Sequence, residues 1–183
     1  MKVNLKSFSN PEYNPGAGIL SRGLWFIAGR MFINTYFPYP QFFKKMVLQL
    51  FSCKLGKGIV IKPKVNIKYP WLLSIGNNTW IGEKVWIDNL VPINIGDNCC
   101  LSQGSMLLTG NHDYKRSSFD LITGKINLEE GAWVGAQSIV CPGVTMGSHS
   151  VLAVNSVLSK NSEDFGIYQG NPAVKVKERV INE

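Results

Sequence analysis

A chain of 183 residues with 45% apolar side chains has the length of one domain and enough hydrophobic material for a core, which excludes a disordered or fibrous polypeptide. Nineteen Lys and Arg against twelve Asp and Glu give a formal net charge of +7, which suits an anionic partner: nucleic acid, an acidic lipid surface or a phosphate-bearing small molecule. Cys53, Cys99, Cys100 and Cys141 show no CxxC or Cys/His spacing and read as reduced thiols.

At the N-terminus there is no signal peptide with a small-residue cleavage site, so a cytoplasmic protein is expected. The first predicted elements are two helices, over residues 19–37 and 41–53, separated by "PYP" because Pro38 and Pro40 would break a continuous one. The apolar run "ILSRGLWFIAGRMFINTYF" is interrupted by Arg22 and Arg30, short of the ~18 uncharged residues a spanning helix needs. Aromatics mixed with Arg22, Arg30, Lys44 and Lys45 suit either a face packed on the rest of the protein or peripheral contact with the inner face of a membrane through residues 20–51.

From Leu55 an aliphatic residue recurs every six positions: Leu55, Ile61, Ile67, then Ile75, Ile81, Ile87, then Ile95, Leu101, Leu107. After a gap the count resumes at Leu128, Val134, Val140, Met146, Leu152 and Leu158. The fourth residue after each is usually small, as at Thr79, Val85, Cys99, Ser105, Ala132, Ser138, Val144, Ser150 and Ser156. A period of six matches neither a helix nor an alternating hairpin. It matches short rungs joined by tight turns, three to a coil, in a parallel β-helix.

The predicted organisation is an N-terminal segment over 1–54 capping the open end, an all-β prism of about five triangular coils over 55–165, and a C-terminal tail over 166–183. Two-residue insertions between Ile67 and Ile75 and between Ile87 and Ile95 read as corner bulges, and a protruding loop is expected at about 109–127. Trp80, Trp86 and Trp133 fall in the outward phase of their rungs, which points to one aromatic flank that packs against another subunit.

Only two histidines are present. Counting from Leu107 puts Asn111 in the inward phase and His112 in the outward one, beside the long excursion, where an imidazole titrating near neutrality could serve as general base. Asp113 or Glu130 could hold its Nδ1, and Asp113 reads equally as a turn cap. His149, in "MGSHSV", reads as a corner residue. Two histidines, one of them at a corner, are too few for a three-nitrogen zinc site with an open position, so no metal is expected. The basic C-terminal quarter offers Lys160, Lys175, Lys177 and Arg179 to phosphate groups.

"AWVGAQSIVCPGVTMGSHSVLAVNSVLSK" followed by "GNPAVKVKER" resembles the closing coils and coenzyme A-binding tail of the left-handed β-helix acyltransferases of the hexapeptide-repeat superfamily. The N-terminal helical segment with "VWIDN" and "TGNHD" is more particularly similar to acetyltransferases of colanic-acid or exopolysaccharide biosynthesis.

The resemblance implies left-handedness, a homotrimer with active sites between subunits, acetyl-CoA as cosubstrate and His112 as catalytic base. It puts Asp88 and Asn89 at positions that contact acceptor or pantetheine. Trp133, Gly135, Ala153 and Ser156 would lie along the pantetheine, with Asn171, Pro172 and Ala173 shaping the nucleotide end. The implied reaction is direct O-acetylation of a sugar or polysaccharide-precursor hydroxyl, since no serine or cysteine sits in a nucleophile motif. Acetylation of an amino sugar or antibiotic, and a non-catalytic scaffold, are the alternatives. Nucleic-acid binding has only the net charge behind it.

Overall fold

In the computed structural model, which describes residues 2–182, the hexapeptide rungs are short parallel strands wound into a three-faced prism. The first face stacks Lys54–Leu55, Leu73–Ile75, Ile93–Ile95, Ile126–Leu128 and Thr145–Met146. Val60–Ile61, Trp80–Ile81, Cys100–Leu101, Trp133–Val134, Val151–Leu152 and Gly166–Gly170 make the second. The third stacks Asn66–Ile67, Trp86–Asp88, Met106–Leu108, Ile139–Val140 and Val157–Leu158. Five coils are complete, and Gly166–Gly170 opens a sixth.

Register explains why the spacing is six. Ile61, Ile81, Leu101, Val134, Leu152 and Tyr168 pair one above the next, so one aliphatic column runs the length of the second face. Fourteen of the fifteen periodic aliphatics are buried, the exception being Leu55 at the open end, and all nine small residues between them are buried too. Coils approach closely at the corners: a Cβ on Gly135 would stand 2.6 Å from the Leu152 carbonyl of the next coil.

Two helices, α1 (Ile19–Ala28) and α2 (Gln41–Leu50), close the first coil. Both are shorter than their apolar patterns predict. α1 runs into a π-turn over Gly29–Ile33, and the Asn34 N–H bonding to the Gly29 carbonyl at 2.7 Å ends it before Pro38 is reached. α2 stops where Ser52 turns to φ 63°.

Their polar groups satisfy backbone that another coil would otherwise pair. Gln41 accepts from the Ile61 N–H at 2.8 Å and donates to the Ile61 carbonyl, which also takes the Lys44 ammonium at 3.0 Å. The Trp25 indole N–H donates to the Ile67 carbonyl at 3.0 Å. Burial holds the Lys44 ammonium below the usual lysine range. At the opposite end Ala173–Glu178 folds back antiparallel on Gly166–Gly170.

Candidate active site

Every departure from the six-residue rhythm falls on one edge, between the third and first faces. Lys68–Leu72 carries a 3-10 turn in the first coil, 89–92 a longer corner in the second, and 109–125 the excursion in the third. Thr109 is the last inward residue of its rung: fully buried, its hydroxyl donates to the Asp88 carbonyl and accepts from the Leu90 N–H, both at 2.8 Å.

The chain then leaves the prism as an antiparallel hairpin, Gly110–His112 against Leu121–Thr123. The switch from parallel stacking to a hairpin resets which way side chains point. Asn111, expected inward, is therefore exposed, and its side-chain oxygen accepts from the His112 N–H at 2.8 Å. Arg116 braces the tip through Asp120 at 2.9 Å and Asp113 at 3.8 Å.

His112 is half-buried on the hairpin. Its Nδ1 lies 2.8 Å from the Phe119 carbonyl, and the two rings stack at 4.3 Å with 7° between their planes. A carbonyl can only accept, so Nδ1 is the donor in this contact, and in the neutral imidazole the lone pair then sits on Nε2. Phe119 holds φ 54°, a backbone conformation a bulky residue rarely adopts, and so aims that carbonyl at the imidazole.

Neither expected carboxylate holds His112. Asp113 accepts from the Lys115 N–H at 3.0 Å as a turn cap, while Glu130 lies on the edge between the first and second faces and accepts from Asn98 at 3.0 Å. His149, at φ 55°, is a corner residue on Glu130's edge and packs on Phe165.

One coil below, Asp88 pairs in register with Leu108 and its carboxylate meets the Lys68 ammonium at 3.1 Å. Asn89 is fully buried; its side chain receives the Tyr69 N–H at 3.0 Å and donates to the Tyr69 carbonyl, clipping one corner to the next. Asp88 lines a cavity of about 420 Å³ between α1 and the third face, with Arg22, Phe26, Lys68, Tyr69 and Trp86 among its walls. The Arg22 Nε there is buried and has no hydrogen-bond partner.

The residues expected along coenzyme A scatter over three edges. Gly135, Ala153, Ser156 and the Asn171–Pro172 turn, with Ala173 after it, share the edge between the second and third faces. Among them Ser156 is 1% exposed, and its hydroxyl accepts from the Gly170 N–H and donates to the Val154 carbonyl. Lys160 stands exposed on the His112 edge.

The Arg179 guanidinium spans the Gly131 and His149 carbonyls on the remaining edge, at 3.1 and 3.0 Å. Lys175 sits between Glu163 and Glu178 at 2.6 Å from each, and those carboxylates hold its ammonium well above the usual lysine range. The three tryptophans are outward but do not share one flank: Trp80 and Trp133 stand on the second face, Trp86 on the third. Trp133 donates to the Ser102 hydroxyl at 2.9 Å.

The residues missed from sequence lie in the N-terminal segment and the hairpin return. Residues 4–16 run along the site edge: Asn4 N–H bonds to the Ser117 carbonyl at 2.9 Å, Tyr13 to the Leu90 carbonyl, and Trp71 donates back to the Pro15 carbonyl. Phe8 thereby reaches 5.8 Å from the His112 ring. Neither Phe8 nor Phe119 sits in a periodic segment, so no spacing signal could have marked them.

The model for the hexapeptide repeat of succinyl-transferase matches residues 72–108 and 125–160. A colanic acid biosynthesis acetyltransferase of Escherichia coli strain K12, WcaF, is 35% identical over 181 residues, covering 98% of this chain and 99% of its own. The galactoside O-acetyltransferase of the same strain is 24% identical, over 74% of this chain and 68% of its own. A Vibrio cholerae hexapeptide-repeat acetyltransferase solved with acetyl coenzyme A superposes with a TM-score of 0.80 at 24% identity, over 97% of this chain and 98% of its own.

Proposed function

The chain belongs to the hexapeptide-repeat acetyltransferases of left-handed β-helix fold, and from that premise we propose that it carries acetyl from acetyl-CoA to a sugar hydroxyl of a polysaccharide precursor, with His112 as general base. The observation that carries the base assignment is the 2.8 Å contact of His112 Nδ1 with the Phe119 carbonyl, which leaves Nε2 free to accept a proton. Acetyl-CoA supplies the thioester that the acceptor oxygen attacks. His112 removes the hydroxyl proton through Nε2 as the new C–O bond forms, and returns it to the departing thiolate. Among the described residues no serine or cysteine hydrogen-bonds to the His112 ring, which favours direct transfer over an acyl-enzyme.

The acceptor side is assigned to the cavity below the hairpin, where Trp86 and Tyr69 offer faces to a sugar ring and Asp88 an acceptor to its hydroxyls. For coenzyme A the fit is to the edge between the second and third faces. There the half-exposed Ala153 lets a thin pantetheine approach the backbone, Trp133 flanks it, and the exposed Asn171–Pro172 turn stands at its end.

Because that edge and the His112 edge are different corners of one prism, a complete site needs a second copy, and a cyclic trimer supplies each cleft from two neighbours. Reaction on the cytoplasmic side, where acetyl-CoA is available, follows.

Thiol release from acetyl-CoA, measured over a panel of glycans, tests the assignment. His112→Ala should lower turnover by about 10²–10⁴-fold with coenzyme A binding intact. Unchanged turnover in that variant removes His112 as base, and a stable monomer on sizing removes the shared cleft.

A further inference from the structure

The outer surfaces of the capping helices carry a feature that acetyl transfer does not use. α1 and its π-turn send Trp25, Gly29 and Ile33 inward, yet Leu20, Leu24, Ile27 and Met31 run down the other side at 53–74% exposure. That spacing is a single helical stripe. In α2, Val47 and Leu48 are buried while Phe42, Met46 and Leu50 are 70%, 53% and 80% exposed, again one stripe. The helices adjoin through Phe32 and Phe43, whose rings lie 5.3 Å apart. Large apolar surface rimmed by charge marks an interaction site.

The charge around the stripes identifies the partner. Residues 13–82 hold nine Lys and Arg and no Asp or Glu. Lys54 and Lys57 are exposed just beyond α2, Arg30 is exposed over the Phe26 ring at 4.2 Å, and Lys45 is half-exposed. Of the nine, Lys44 is withdrawn into the first coil, the Arg22 Nε is buried at the cavity and Lys68 is paired with Asp88.

We propose that α1 and α2 form a docking surface for an anionic lipid bilayer, lying in the headgroup region with their apolar stripes toward the acyl chains. No helix among the described residues is long and apolar enough to cross a membrane, so the mode is peripheral. A second copy is the poorer occupant: symmetric packing would set this cationic region against itself with no carboxylate from it in between. The stripe residues Leu20, Leu24, Ile27 and Met31 are not among the walls of the proposed acceptor cavity, which α1 lines through Arg22, Phe26 and Arg30 instead.

Sedimentation of the full chain with vesicles of phosphatidylcholine, with and without phosphatidylglycerol, tests this. Binding should be at least about tenfold tighter to the anionic vesicles and weaken with salt. Leu20→Ser/Ile27→Ser and, separately, Lys45→Glu/Lys57→Glu should each reduce it by about tenfold or more, with thermal unfolding and turnover of a soluble acceptor unchanged. These positions are solvent-facing, so the fold tolerates them.

Equal binding to both vesicles, or none, overturns the proposal. It is also overturned if the native particle mass by light scattering is larger than that of Leu20→Ser/Ile27→Ser, because the stripe would then join copies of the chain.

Discussion

Replacing Phe119 by alanine separates the two supports of the His112 ring. The backbone carbonyl that accepts the Nδ1 proton stays, while the aromatic face stacked at 4.3 Å is lost. Such a stack is worth about 0.5–1.5 kcal/mol beyond the area it buries. If that energy orients the imidazole, removing it lowers the productive fraction by about 2- to 13-fold at 1.36 kcal/mol per tenfold.

Phe119→Ala should therefore reduce kcat by that factor and leave the KM for acetyl-CoA within about twofold, far short of the about 10²–10⁴-fold expected for His112→Ala. Phe119→Gly serves as control. It loses the same ring, but at φ 54° glycine is spared the left-handed strain that alanine keeps, so it should resist urea better by about 1 kcal/mol at equal kcat. Steady-state thiol release and urea melts of the three variants read both quantities. A loss in Phe119→Ala as deep as that in His112→Ala refutes the reasoning, because the ring would then be touching substrate.

Three further outcomes follow from the geometry. Asn89→Ala leaves the part-buried Tyr69 N–H and carbonyl without their side-chain partners and should cost about 1–3 kcal/mol in denaturant titration. At Gly131, φ is 70° and an added Cβ would lie 2.0 Å from His149 Nδ1. Gly131→Ala should thus destabilise by about 1–3 kcal/mol, and His149→Ala in the same chain should recover the steric part but not the backbone part.

Burial pushes the Cys53 thiol up to about 12 and Cys99 to about 11, from an ordinary 9.0. Both thiols stay protonated in the fold while the unfolded chain ionises. The urea midpoint should hold below pH 9 and fall as pH rises from 9 through the folded values, and both cysteines should resist a disulfide reagent at pH 8 until denaturant is added.

Much of the site was legible and part was not, for reasons tied to particular residues. His112 stands out because it lies beside the one long break in the count, and a histidine on a protruding hairpin needs only that break to be found. Asn111 departs from its expected direction because the alternation of the rung ends at Thr109, two residues before it, and the hairpin begins at Gly110. The holder of His112 escaped because it is a backbone carbonyl, and a carbonyl has no residue type to recognise. Trp80, Trp86 and Trp133 share a phase within their rungs, but a phase does not say which of three faces a rung occupies.

The sequence by itself determined the prism. Aliphatics at every sixth position can be buried together only if successive rungs stack in register, so the count from Leu55 to Leu158 already contains the coil, its column of core side chains and its interrupted edge. Tertiary structure decided what the irregular segments do. Residues 4–16 lie along the site edge, Phe8 and Phe119 come to His112, and α1 and α2 bury one face while leaving another to solvent. Periodicity reports contacts that repeat, whereas these are made once, between segments far apart in the chain, and nothing local fixes where they meet.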